Sequence, residues 1–217
     1  MNRCAIFAGG DMPYLDKYMD SAFWQKYNYF ICADCGYRHA VKLGILPDLI
    51  VGDFDSFGGD LPRGVEVLRS VPEKDDTDTL MAVKKAIEMG YNNIDLYGAL
   101  GGDRFDHSIA NIQTMIYALQ QGASLEIWGE SRLLIQEADE GGVSYRKPVS
   151  GGMYLSVFAL TESIGIEYLR GVKYPLEDYR MVQSFPIGVS NEITGESAEL
   201  RIKDGLALVI LTPMKKK

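Results

Sequence analysis

The sequence predicts an α/β protein: an N-terminal domain built on a parallel sheet, followed by a C-terminal all-β sandwich domain. Two rhythms lead to this. Up to about residue 130, short apolar runs alternate with helical patterns, as a sheet with crossover helices requires. After that, glycines such as Gly141, Gly151, Gly165, Gly188 and Gly205 punctuate short alternating strands, a spacing typical of sandwiches and barrels. The 217 residues can bury one large or two small cores. The expected domains are therefore residues 1–130 and 131–217.

In order, Cys4 to Ala8 reads as a buried strand ending at Gly9-Gly10, and Tyr29 to Ala33 as a second strand ending at Asp34. Tyr37 to Leu43 is a short helix stopped by Gly44. Leu49 to Val51 and Val65 to Leu68 are further strands. Thr77 to Met89 is a helix with Leu80, Val83 and Ile87 on one face and Gly90 as its stop. Ile94 to Tyr97 is a strand, a glycine-rich turn follows, and Ser108 to Gln121 is a second clear helix before the strand Ser124 to Trp128. In the second half, Met153 to Ala159, Ile164 to Leu169, Ala198 to Ile202 and Leu206 to Leu211 are the best strands.

Hydrophobic residues make up 47% and charged residues 24%, the balance of a soluble globular protein. No apolar run is long enough to span a bilayer, and Met1-Asn2-Arg3-Cys4 opens no signal peptide, so the expectation is a cytoplasmic protein without a membrane partner. A net charge of −8, from 30 acidic and 22 basic residues, argues against nucleic acid as a partner. The basic run Lys215-Lys216-Lys217 reads as a solvated tail. Cys32 and Cys35 have redox-pair spacing, but the expectation is two unlinked thiols in a reducing compartment.

Acidic residues and glycines cluster at the predicted carboxyl ends of the strands, where open parallel sheets bind ligands. Asp34 follows one strand, Asp53 and Asp55 another, and Gly98, Gly101, Asp103 and Asp106 a third. Asp75, Asp76 and Asp78 precede a helix, where Asp76 or Thr77 can serve as the cap. Carboxylates this dense repel one another unless a cation lies between them, and magnesium on a polyphosphate suits such loops. Neither a Gly-x-x-x-x-Gly-Lys-Ser/Thr loop nor a Gly-x-Gly-x-x-Gly fingerprint occurs, which leaves phosphate binding to glycine turns, helix N-termini and cations such as Lys74 and Arg104.

Four segments then fall into a known order. Pro47-Asp48-Leu49-Ile50-Val51-Gly52-Asp53-Phe54-Asp55-Ser56 resembles the acidic signature of thiamine pyrophosphokinases. Asp75-Asp76-Thr77-Asp78 is similar to their Asp-x-Thr-Asp element, and Gly101-Gly102-Asp103-Arg104-Phe105-Asp106-His107 to their Gly-Gly-Arg-x-Asp-His element. Ser190-Asn191-Glu192 resembles a turn of their C-terminal domain. One departure is Asp103, which separates the glycine pair from the arginine.

The resemblance implies transfer of a pyrophosphoryl group from ATP to the hydroxyl of thiamine, releasing AMP. It implies that Asp53, Asp55 and Asp78 hold magnesium, and that these three and Arg104 are the catalytic set. Asp34, Lys74, Asp75, Gly101, Gly102 and Arg104 would line the nucleotide site, while Asp106, Ser190 and Asn191 would contact thiamine. It further implies an ATP-binding catalytic domain, a thiamine-binding sandwich, and a homodimer with sites shared at the subunit interface. Three other readings stay open from the residues: an Asp-x-Asp phosphatase with Asp53 as nucleophile, a pyrophosphokinase for another alcohol such as a hydroxymethylpterin, and a non-catalytic magnesium-nucleotide sensor. His107 is open between a structural imidazole and a proton carrier.

Overall fold

The computed structural model describes residues 2–13, 15–53, 62–69, 76–138, 141–149 and 151–215. The chain divides into two compact units, Met1–Gly129 and Glu130–Lys217.

In the first unit, β1 (Arg3–Phe7), β2 (Tyr29–Ala33), β3 (Leu49–Gly52), β4 (Glu66–Arg69), β5 (Asn93–Tyr97) and β6 (Ser124–Trp128) are all parallel, in the order β6-β5-β1-β2-β3-β4. β1 lies at the centre with four of its five residues buried, so it reads as a continuous apolar run rather than an alternating one. α1 (Ser21–Trp24), α2 (Tyr37–Lys42), α3 (Asp78–Glu88) and α4 (Phe105–Gln120) are its α-helices. α3 buries Thr79, Ala82, Val83 and Ala86, and α4 buries Ser108, Asn111, Met115 and Ala118, spacings that keep one face of each helix inward.

The chain leaves β1 for β2 on one side of the sheet, and later returns to place β5 on the other side. The strand order therefore reverses between β1 and β5, and the crevice beyond their carboxyl ends is where such a sheet takes a ligand. Beneath it, Phe7, Tyr18, Trp24, Tyr27 and Tyr97 form an aromatic core. Asp95 is buried in this core, where Arg3 donates to it at 2.9 and 3.1 Å and the Tyr27 hydroxyl also donates. A buried carboxylate needs such partners.

The second unit is antiparallel throughout. One sheet runs β12-β9-β14-β7, from β7 (Arg132–Glu137), β9 (Met153–Ala159), β12 (Asn191–Glu192) and β14 (Leu206–Pro213). The other runs β11-β10-β13-β8, from β8 (Val143–Arg146), β10 (Ser163–Arg170), β11 (Leu176–Val182) and β13 (Ser197–Asp204). Period-2 burial is clear: Leu155, Val157 and Ala159 on β9, Ala207, Val209 and Leu211 on β14, and Ala198, Leu200 and Ile202 on β13 fill one core between the sheets. Gln136 Nε2 crosses that core to the Leu200 carbonyl at 3.0 Å, and Tyr145 donates to Gln136 Oε1 at 2.6 Å.

Several element ends differ from the sequence reading by a few residues, and β7, β8, β11 and β12 were not among the strands it named. α4 begins at Phe105 rather than Ser108, because the first turn of a helix needs no intrahelical N–H partners and tolerates the polar stretch Asp106-His107. β11 was absent from the expected strands: it is an edge strand with one buried residue in seven, and its polar faces hide the alternation.

Candidate active site

The crevice between β1 and β5 is a cavity of about 370 Å³. Its walls are Ala8 to Gly10 at the end of β1, Ala33 to Cys35 at the end of β2, Thr77 to Thr79 at the start of α3, Gly98, Ala99 and Gly101 to Arg104 beyond β5, and His107 and Asn111 on α4. The N-termini of α3 and α4 both open onto it, bringing the positive ends of two helix dipoles. Thr77 caps α3 by accepting the Leu80 N–H at 3.2 Å, whereas Asp76 is drawn aside by Lys84 at 2.6 Å. α4 has no side-chain cap.

The glycine turn after β5 is fixed at four points. Gly10 donates to the Gly98 carbonyl at 2.7 Å, Asn111 Nδ2 donates to the Ala99 carbonyl at 2.8 Å, the Gly101 N–H reaches Ser108 Oγ at 3.2 Å, and the Gly102 N–H reaches Asp11 Oδ2 at 2.7 Å. Gly98 has a φ of 63°, and a Cβ there would collide with the Ala8 carbonyl. No other residue fits both demands.

Asp34 is unusual in two ways. Its φ is +46°, which is uncommon outside glycine, and its Oδ1 is buried with no hydrogen-bond partner among the described residues while the residue lines the crevice. The chain at Gly52 comes so close that a Cβ there would lie 3.1 Å from Asp34 Cα, which explains the glycine before Asp53. Asp53 follows β3 and is half-buried, and its charge reaches Cys35. The Cys35 thiol is pushed up, first by burial and then by Asp34.

Of the expected nucleotide and metal residues, the structure gathers Asp34, Asp78, Gly101, Gly102 and Arg104 around this cavity. Asp55, Lys74 and Asp75 lie outside the described residues. Among the described residues, no three acidic, imidazole or thiol groups converge closely enough to hold a metal by themselves. Magnesium asks for less, because one or two carboxylates suffice when substrate phosphates supply the other ligands. Asp34, whose Oδ1 is buried without a hydrogen-bond partner among the described residues, and Asp78 line the same cavity, and two carboxylates are a donor set that fits it.

Arg104 and Asp106 stand together at the start of α4, with Nη2 to Oδ2 at 2.7 Å and Nε to Oδ1 at 3.0 Å. The Arg104 guanidinium holds the Asp106 carboxyl down at about 2. Both side chains are well exposed, so a stronger anion can draw the arginine away at little cost.

In the second unit, Ser190 and Asn191 are adjacent but differently used. Ser190 is exposed with a φ of +58°, and its N–H donates to Ser156 Oγ at 2.9 Å. Asn191 is buried: its Oδ1 accepts the Tyr174 N–H at 3.0 Å and its Nδ2 donates to the Tyr174 carbonyl at 2.7 Å. The Tyr174 side chain is left 64% exposed on a backbone held at both ends.

Known proteins resemble this arrangement over its full length. A family model described as "Thiamin pyrophosphokinase, catalytic domain" matches residues 21–127, and one described as "Thiamin pyrophosphokinase, vitamin B1 binding domain" matches residues 143–207. The chain belongs to the thiamin pyrophosphokinase family. A curated thiamine pyrophosphokinase of Bacillus subtilis is 27% identical over 220 residues, covering 97% of this chain and 98% of that protein. The fold matches the crystal structure of thiamine pyrophosphokinase from Bacillus subtilis with a TM-score of 0.85, at 24% identity over 99% of this chain and 100% of that one. For the enzyme from Geobacillus thermodenitrificans the TM-score is 0.80, at 24% identity over 99% of both chains.

Membership of the thiamin pyrophosphokinase family sets aside the phosphatase, pterin-type and sensor readings. Sequence reasoning missed Asp11, Ser108 and Asn111 at the crevice of the first unit, and Tyr174 at the turn of the second. The first three each hold the glycine turn through one hydrogen bond, and only that of Asp11 crosses the fold.

Proposed function

We propose that this chain is a thiamine diphosphokinase, moving the β,γ-pyrophosphoryl group of ATP to the hydroxyl of thiamine with release of AMP. The observation that carries this reading is the buried Asp34 oxygen, without a partner among the described residues, in a cavity that Asp78 also lines and onto which two helix N-termini open, in a chain of this family.

Asp34, Asp53 and Asp78, with Asp55, would hold magnesium against the phosphates; when bound, the ion neutralises charge that builds up as the group moves. The N–H groups at the start of α3 and α4 supply donors to phosphate oxygens without reorganising. Arg104 exchanges Asp106 for phosphate, leaving Asp106 as a carboxylate facing thiamine. Asp75 and Lys74 complete the nucleotide side in this reading. Ser190, exposed at its turn, offers its hydroxyl to thiamine, and Asn191 serves by fixing the backbone of Tyr174. The first unit would thus bind ATP and the second thiamine. The exposed apolar side chains Phe185, Ile187 and Val189 beside this turn suit the homodimer interface that the reading includes, which sedimentation velocity would detect as a doubled mass. Three free thiols at Cys4, Cys32 and Cys35 suit a reducing cytoplasm.

The test is the product pair. Incubating the full chain with ATP, magnesium and thiamine should yield AMP and thiamine diphosphate one for one. ADP appearing with thiamine monophosphate would overturn the reading.

A further inference from the structure

Two turns meet at the head of the crevice, one after β1 and one after β5, and three successive ties join them. Gly10 donates to the Gly98 carbonyl at 2.7 Å, Asp11 pairs with Leu100 as an isolated antiparallel bridge, and Asp11 Oδ2 accepts the Gly102 N–H at 2.7 Å. Of the three, the last alone is made by a side chain, and a carboxylate is a strong acceptor for a backbone N–H. The fit is close: a Cβ on Gly101 would lie 3.1 Å from the same oxygen.

What this tie restrains is the approach to Arg104. Gly101 and Gly102 both have a φ of 78°, and neither has a side chain to anchor it. Asp103 then adds a residue between the glycine pair and Arg104, the one departure from the motif that the chain otherwise resembles. Each added residue widens the range of positions that a loop can take. α4 opens without a side-chain cap, so its own start does little to narrow that range. Gly101, Gly102, Asp103 and Arg104 all line the crevice, and their placement decides what a phosphate meets there.

We infer that Asp11 is a positioning residue for this turn: by holding the Gly102 N–H, its carboxylate sets where Gly101 to Arg104 meet the phosphates of the donor. The inference rests on the pyrophosphokinase reading and gives a task to a residue outside the motifs. Charge by itself predicts the opposite behaviour. A carboxylate near a phosphate site repels the ligand, so its loss would tighten binding if Asp11 acted through its charge alone. A clasp predicts weaker binding, and the two accounts differ in sign.

Two variants of the full chain separate the accounts. Asp11→Ala removes the acceptor, while Asp11→Asn loses the charge but keeps an oxygen for the Gly102 N–H. In steady-state assays with ATP, magnesium and thiamine, Asp11→Ala should raise KM for ATP by about tenfold and leave KM for thiamine within about twofold. Asp11→Asn should stay within about threefold of the wild type in both. A variant that was merely less stable would lose active molecules, lowering kcat with both KM values unchanged. Inorganic tripolyphosphate with magnesium supplies a readout independent of turnover: its affinity should fall by about tenfold in Asp11→Ala and hold in Asp11→Asn. The clasp is overturned if Asp11→Ala binds tripolyphosphate as tightly as the wild type or more tightly, or if Asp11→Asn fails as badly as Asp11→Ala. If the wild type forms no thiamine diphosphate, the pyrophosphokinase reading falls, and the tripolyphosphate titration still decides the clasp. If it also binds no tripolyphosphate, both fall together.

Discussion

Two regions carried the functional expectations, and they treat their polar side chains in opposite ways. In the crevice of the first unit, Asp34 presents a buried oxygen with no partner among the described residues. In the turn of the second unit, both ends of the Asn191 amide are spent on the Tyr174 backbone. A buried polar atom without a partner is a standing cost, retained where a ligand or ion completes it. A buried amide with both ends satisfied is a structural fastening. Polar motif residues therefore divide into those that wait for a ligand and those that hold another residue in place for one.

The largest effect should come from the waiting side. Asp34→Asn keeps the shape and tolerates the positive φ, since asparagine enters that region readily. It should lower kcat/KM by about a hundredfold or more, as when an electrostatic contact at a reacting centre is removed. Thermal unfolding should occur close to or above the wild-type temperature, because no hydrogen bond to the buried Oδ1 is lost. A variant that is both inactive and less stable would make Asp34 a fastening, and the contrast would collapse.

Asn191→Ala should behave the other way. It leaves the Tyr174 N–H and carbonyl unpaired and should cost about 1–3 kcal/mol in urea unfolding. Its KM for thiamine should rise while that for ATP holds. Full stability with poor thiamine use would show the amide turned toward substrate, making the two regions alike.

The smallest effect lies at His39, behind the crevice, where the ring Nε2 is 2.8 Å from the Gly10 carbonyl. Burial pushes His39 below its usual range and Lys42 adds to this, while the Gly10 carbonyl and Asp11 oppose it. A histidine depressed in the folded state binds its proton more readily when unfolded. Its contribution is therefore complete above the unfolded value of about 6.5 and declines as pH falls below it. Between pH 7.5 and 5.5 the wild type should lose a few tenths of a kcal/mol more than His39→Gln, solvent screening keeping the difference small. Equal losses would mean that the acid sensitivity originates elsewhere.

The parallel strands of the first unit were legible because each is a compact apolar run, and α3 because its apolar spacing and cap lie in one stretch of chain. The acidic loops were legible because their residues are adjacent in sequence. Asp11 was not: its meaning is one hydrogen bond to Gly102, 91 residues away. Asn191 was found as a motif residue, but its amide pairs with the backbone of Tyr174, 17 positions earlier, and that pairing has no local signature.

By itself the sequence determined the two rhythms, the family and the stretches that carry chemistry, because periodicity, turn residues and motif order are properties of neighbours along the chain. Only the tertiary structure decided which of those polar groups stay open. Strand order reversing between β1 and β5 creates the crevice, and Gly52 approaching Asp34 helps set the carboxylate there. Whether a donor or acceptor finds a partner depends on what packing brings within about 3 Å of it, and that is settled by the whole fold at once.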